Sequence, residues 1–170
     1  MVDAATEFRK SGFTDEESAN LALIATMYQN IADEEISAGD AANFIISQMK
    51  AFNIEAGNAM HIIDAVNEVS NNYAVSSSDL ANNISKVSSA LAVGGNTFEQ
   101  TLGMLTAITE ITRNASTAAR GLVSVQSRFN QIIDESSSTG QKLIDFYTEH
   151  GIAIRDENQQ LRSLYDVLYD

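Results

Sequence analysis

The chain of 170 residues has no proline, no cysteine and no tryptophan, and only 9 glycines. Proline makes up about 5% of an average chain, so its absence leaves no position with a fixed φ and a missing amide hydrogen. Helices can run without interruption, and every stop must come from Gly, Ser or Asn clusters. The lack of cysteine removes disulfides, thiolate nucleophiles and thiolate metal ligands. Basic residues are scarce too: 10 Lys and Arg stand against 23 Asp and Glu, a net charge of −13. That excess repels the phosphates of nucleic acid and of anionic lipid, so no direct nucleic acid binding is expected. No apolar run approaches the ~20 residues that cross a bilayer, and the amino terminus lacks the basic, apolar, small-residue order of a signal peptide.

What is present is a globular composition, 44% apolar and 19% charged, and an internal repeat. The stretch Gly39-Asp40-Ala41-Ala42-Asn43, running through Ile45 to Phe52, returns about 39 positions later as Ser78-Asp79-Leu80-Ala81-Asn82 with Ile84 and Leu91. It returns again, eroded, as Ser116-Thr117-Ala118-Ala119 with Leu122, Val125 and Phe129. A period of this size belongs to stacked supersecondary units, each too small to bury its own apolar face.

Apolar stripes at spacings of three and four mark the helices. Thr14 with Glu17 forms a capping box ahead of Leu21, Ile24, Tyr28 and Ile31. Further stripes are Ala42, Ile45, Met49 and Phe52, then Ile62, Val66, Val69 and Tyr73, then Leu80, Ile84, Val87 and Leu91. Gly94-Gly95-Asn96-Thr97 reads as a turn in which glycine takes the left-handed conformation and Thr97 with Gln100 caps the helix of Phe98, Leu102 and Leu105. Asn114 precedes a helix with Leu122, Val125, Phe129 and Ile132. Ser136 to Gly140 reads as a loop, and a short helix follows over Gln141 to His150. Ile152 and Ile154 then alternate with Ala153 and Arg155 before the polar turn Asp156-Glu157-Asn158-Gln159, a period that predicts a small β-hairpin returning through Leu161. Ser163 with Asp166 caps a last helix whose stripe has barely begun at Asp170, so the chain reads as a piece of a longer one.

The fold expected is all-α. Residues 1–135 form an elongated array of about three antiparallel helical hairpins, and residues 136–170 an appendix of short helix, β-hairpin and truncated helix.

The inventory for catalysis is thin. His61 and His150 are the two histidines, and His61 adjoins Met60, Ile62 and Ile63, the setting of a packed or half-exposed helix histidine rather than a ligand. Asp33, Glu34, Glu35 and Asp40 lack the twelve-residue loop of a calcium site and read as a solvated acidic loop. The Gly94 turn lacks the lysine and the preceding strand of a phosphate loop. No catalytic, metal or cofactor residue is assigned, and no enzyme is expected. Arg113, Arg120 and Arg128 lie seven and eight residues apart. They form either a partner-docking stripe or an intramolecular ion-pair surface.

The string Ala74-Val75-Ser76-Ser77-Ser78-Asp79-Leu80-Ala81, leading through Asn96-Thr97-Phe98-Glu99-Gln100-Thr101-Leu102-Gly103-Met104-Leu105 to Arg120-Gly121-Leu122, resembles the core region of phage tail tape measure proteins. Gly151 to Asp156 and Leu161 to Leu164 resemble that family's short hairpin and returning helix, with Asn158-Gln159 where the family carries glycine. The resemblance covers nearly the whole chain. It implies a structural segment of a phage or prophage protein that sets tail tube length during assembly and is released at DNA ejection. The implied partners are the tail tube protein, tail assembly chaperones and tail tip proteins, besides other copies of itself. The implied location is the virion tail, with the host cytoplasm during assembly. The other reading is a helical adaptor or bacterial sensory-signalling bundle, for which strict heptads over long spans would be the mark.

Overall fold

Three helices begin on the same chemistry at nearly one interval. Ser37, Ser76 and Asn114 stand in extended backbone, and their side chains accept the amides of Asp40, Asp79 and Thr117 at 3.1, 3.0 and 2.8 Å. Each bond satisfies one of the four amides that a helix start leaves free. In this computed structural model, which describes residues 2–134 and 136–169, these caps open α3 (Ala38–Phe52), α5 (Ser77–Val93) and α7 (Ala115–Asn130). Between them lie α4 (Met60–Asn72), entered through a 3-10 turn at Ala56–Asn58, and α6 (Phe98–Thr112). Ahead of them are α1 (Val2–Lys10) and α2 (Asp15–Ile31); behind are a 3-10 turn at Gln131–Ile133, α8 (Ser138–Glu149) and α9 (Leu164–Tyr169).

The helices alternate between two rows. α1 packs on α3, α3 on α5 and α5 on α7, while α2, α4 and α6 form a second, looser row. Members of a row run parallel. Asp33, just ahead of α3, accepts the Ser77 hydroxyl at the head of α5 at 2.9 Å, and Gln48, late in α3, accepts the Ser88 hydroxyl, late in α5, at 2.6 Å. His61 and Glu99 meet near the starts of α4 and α6, and the amide of Ala74, past the end of α4, donates to Glu110, near the end of α6. Successive helices therefore form antiparallel hairpins, and the sequence repeat is the step from one hairpin to the next.

Leu80, Ile84, Val87 and Leu91 are all fully buried, which makes α5 the centre of the core between α3 and α7. Ala41 and Ala42, Ala81, and Ala118 and Ala119 are buried at matching places and let the backbones of the row approach closely. Two members of the apolar stripes are half-exposed, Tyr73 past the end of α4 and Val125 in α7. The turn after α5 is a Schellman motif, with Asn96 N donating to Leu91 O at 3.1 Å and Gly95 N to Ala92 O at 3.0 Å. Gly95 has φ 81°, which glycine adopts without the Cβ penalty. Thr97 and Gln100 close the capping box expected of them, as do Thr14 and Glu17.

Tyr28 ties the rows together from inside. It is 1% exposed, its hydroxyl donates to Ser77 O at 3.4 Å, and Asp33, whose carboxylate also holds the Ser77 amide and hydroxyl, lies nearby. Burial, reinforced by the Asp33 charge, pushes the Tyr28 phenol well above its ordinary value near 10. The folded protein keeps that proton when the unfolded chain would lose it. The stabilisation is therefore complete below about pH 10 and falls as pH rises above it. Stability measured from pH 8 to 11 should fall above pH 10, and Tyr28→Phe should flatten that decline; an unchanged slope would contradict this role.

The β-hairpin expected at the carboxyl end is not found. Among the described residues there is no strand, and Arg155 and Leu161 form an isolated antiparallel bridge. Ile152, Ile154 and Leu161 pack against the helical core, so the two-residue alternation records an extended segment laid on helices rather than a strand paired to another strand. The Asp156 side chain takes the amides of Asn158 and Gln160 at 2.9 and 2.8 Å, which curls the tip into a turn. Gln159 has φ 64°, the left-handed conformation that glycine adopts most easily. Ser136 to Gly140 is also not all loop: Ser137 caps α8, which starts at Ser138.

The longest helices, α2 and α5, have 17 residues, about 26 Å. An array of such short elements lacks the long heptad spans that a signalling stalk requires.

Candidate functional site

α2, α4 and α6 carry Asp15, Glu16, Glu17, Asp64, Glu68, Glu99 and Glu110 and not one Lys or Arg. The other row is mixed: α7 has Arg120 and Arg128 and no acid, and α5 has Lys86 against Asp79. Of the two rows, only this one carries an acidic excess.

Within that row α4 and α6 touch sparingly and leave a groove of about 460 Å³, lined by Asp64, Ala65, Glu68 and Val69 from α4 and by Glu99, Leu102 and Gly103 from α6. His61 joins it to a wider, open depression floored by Phe52, Ile54 and Phe98. At their junction His61 Nε2 lies 2.7 Å from Glu99 Oε1. Partial burial raises the Glu99 carboxyl, but hydrogen bonds from its own amide, His61 and Thr97, with the imidazolium charge, outweigh it and leave the group below the ordinary glutamate range. Both side chains are more than half exposed, so solvent screens the pair and its contribution is small.

A histidine beside a carboxylate can exchange protons, yet acid–base catalysis needs a third group at the reacting atom. The nearest hydroxyl, Thr97, accepts the Gln100 amide at 3.2 Å as the cap of α6. The site is an open trough with one buffered pair rather than an enclosed pocket of converging groups. His150 packs against Phe146 with ring centroids 4.3 Å apart and the rings tilted by 33°, and its Nδ1 lies 2.7 Å from Phe146 O. Among the described residues no three His, Cys, Asp or Glu side chains come together in a metal-binding group. Asp33 of the acidic loop is engaged by Ser77.

The three arginines singled out in the sequence do not form one helical stripe. Arg113 is the left-handed cap of α6, with φ 52°, and donates to Ala74 O at 3.4 Å. Arg120 and Arg128 lie on α7, both exposed; Arg120 donates to Ser116 and Thr117 one turn back. Among the described residues none of the three has a carboxylate within 4.0 Å.

The family model for phage-related minor tail proteins matches residues 1–170, the whole chain. The chain belongs to that family. No solved structure matches it. As a phage-related minor tail protein it has a structural role in the phage tail, is located in the virion tail and associates with other tail components. No helix among the described residues is long and apolar enough to cross a membrane.

The sequence reads His61 as a packed or half-exposed helix histidine, and it is exposed, but its partner Glu99 was missed. A signal was available: the two lie 38 residues apart, one repeat, and residues one repeat apart are side by side in a parallel row. Ser47 with Ser85 and Arg113 with Ala74 obey the same rule at 38 and 39 residues.

Proposed function

We propose that this minor tail protein chain is a folded segment of a tail tape measure protein, the component that sets tube length during assembly and leaves at DNA ejection. The observation that carries the reading is the order and spacing of the strings shared with tape measure proteins, which coincide with structural signatures of the fold. Ser76 to Ala81 is the cap and first turn of α5, Asn96 to Leu105 the cap and first half of α6, and Arg120 to Leu122 the middle of α7. Membership of the minor tail family over all 170 residues supports the same reading.

In this role residues 1–135 form the repeat body and residues 136–170 an appendix, neither performing chemistry. The acidic row faces other tail components, and Arg120 and Arg128 give the opposite row a basic docking patch. Tube protein, assembly chaperones, tip proteins and other copies of the chain are the partners, met in the host cytoplasm before the tail is complete.

The test is tail length by electron microscopy. Phage whose full-length protein has a block of 30 helical residues inserted beside residues 1–170 should have tails longer by roughly 45 Å, at about 1.5 Å per residue. Tails of unchanged length would overturn the assignment.

A further inference from the structure

We infer that the groove between α4 and α6 is a docking site for a cationic amphipathic helix of a partner protein. Its floor is apolar and small: Leu102 is buried, Ala65 and Val69 are half-buried, and Gly103 is exposed in mid-helix with nothing within 4 Å of where its Cβ would stand. A missing side chain at an exposed helix position costs about 1 kcal/mol of helix propensity. Here it opens a trough wide enough for another backbone to approach, which is what glycine at a helix–helix contact provides.

The rims fix the chemistry of the occupant. Asp64 and Glu68 stand on one side and Glu99 on the other, and no Lys or Arg from α2, α4 or α6 faces them. His61 stands at one end of the groove against Glu99, and Arg113 sits beyond the other end beside Ala74. The groove runs from His61 to Val69 along α4 and from Glu99 to Gly103 along α6, with the His61–Glu99 contact at one end. Its length on α4, roughly 12 Å, takes about two helical turns. A helix with a small apolar seam and flanking Lys or Arg matches floor, rims and length. A second copy of this chain is disfavoured as the occupant, because the net charge of −13 opposes close approach.

The test uses the 170-residue protein and two fluorescein-labelled 14-residue helical peptides with the same Ala and Leu seam, one flanked by Lys and the other by Glu, followed by anisotropy. The Lys peptide should bind one to one and the Glu peptide at least roughly ten-fold more weakly. Gly103→Leu, whose Cβ has nothing within 4 Å, puts a side chain into the trough and should weaken the Lys peptide at least roughly ten-fold with unchanged circular dichroism. Asp64→Asn with Glu68→Gln, both exposed, should weaken it independently and reduce its salt dependence. Equal affinity for the two peptides, or binding indifferent to both Gly103→Leu and the double variant, would overturn the inference. A dimer in sedimentation that Gly103→Leu abolishes would overturn it in favour of a second copy.

Discussion

Ile84→Ala is expected to cost about 2–5 kcal/mol, the usual range for emptying a fully buried aliphatic site. Ile84 is 0% exposed at the middle of α5, the one helix packed on α3, α6 and α7 together. The cost should be at the upper end because both neighbours in the row are themselves held, α3 through Gln48 and Ser88, α7 through Gln126 and Asn96, and so cannot collapse into the void. At about 2–4 °C per kcal/mol for a chain of this size, the melting temperature should drop by roughly 5–20 °C. Val93, in the same helix and of similar chemistry, is 81% exposed. Val93→Ala should change stability by less than about 0.5 kcal/mol. Calorimetry of the two variants side by side decides whether α5 is the core helix; similar losses from both would show that it is not.

Gly140→Ala should have the second largest effect, for a steric reason. A Cβ built there would lie 2.2 Å from Gln131 O and 2.8 Å from Gln131 C, backbone atoms of the 3-10 turn against which α8 packs. A side-chain end can swing away from such a contact; a carbonyl fixed in a turn cannot. The helix-propensity gain of about 1 kcal/mol for alanine over glycine favours the substitution, but overpacking against fixed backbone costs about 1–3 kcal/mol or more, so the clash wins. Hydrogen exchange should show α8 losing protection first, with α3 and α5 retaining theirs. Thr139→Ala, one residue away and exposed, should leave α8 docked. Full protection of α8 in the Gly140→Ala protein would contradict the packing described.

Much of the fold was written in caps and stripes. Thr97 with Gln100 and Thr14 with Glu17 are local motifs whose chemistry closes within four residues, so the sequence alone places those helix starts. The repeat predicted stacking and the structure supplies its form, parallel rows offset by one hairpin. What escaped was set by tertiary contact. α1 has nine residues and two buried side chains, Ala4 and Phe8; a helix that short is marginal alone and forms because Phe8 docks on its neighbours. α8 begins in a Ser-, Thr- and Gly-rich stretch of poor helix formers, held by the Ser137 cap and by Gly140 against backbone. The alternation of Ile152 and Ile154 was real, but it fits an extended strap on a helical surface as well as a strand, and periodicity cannot tell the two apart. The groove between α4 and α6 was invisible for a related reason: it depends on Gly103 and Ala65 coming opposite each other across one repeat.

The absence of cysteine makes the central claim, parallel packing one repeat apart, directly measurable. The hydroxyl oxygens of Ser47 in α3 and Ser85 in α5 lie 3.2 Å apart, which brings sulfur atoms at those positions within reach of each other. The Ser47→Cys, Ser85→Cys double variant should therefore cross-link on mild oxidation, within one chain and nearly completely, while Ser47→Cys with Ser124→Cys, two repeats apart, should not. Cross-linking of the second pair in place of the first, or of neither, would contradict the stacked array.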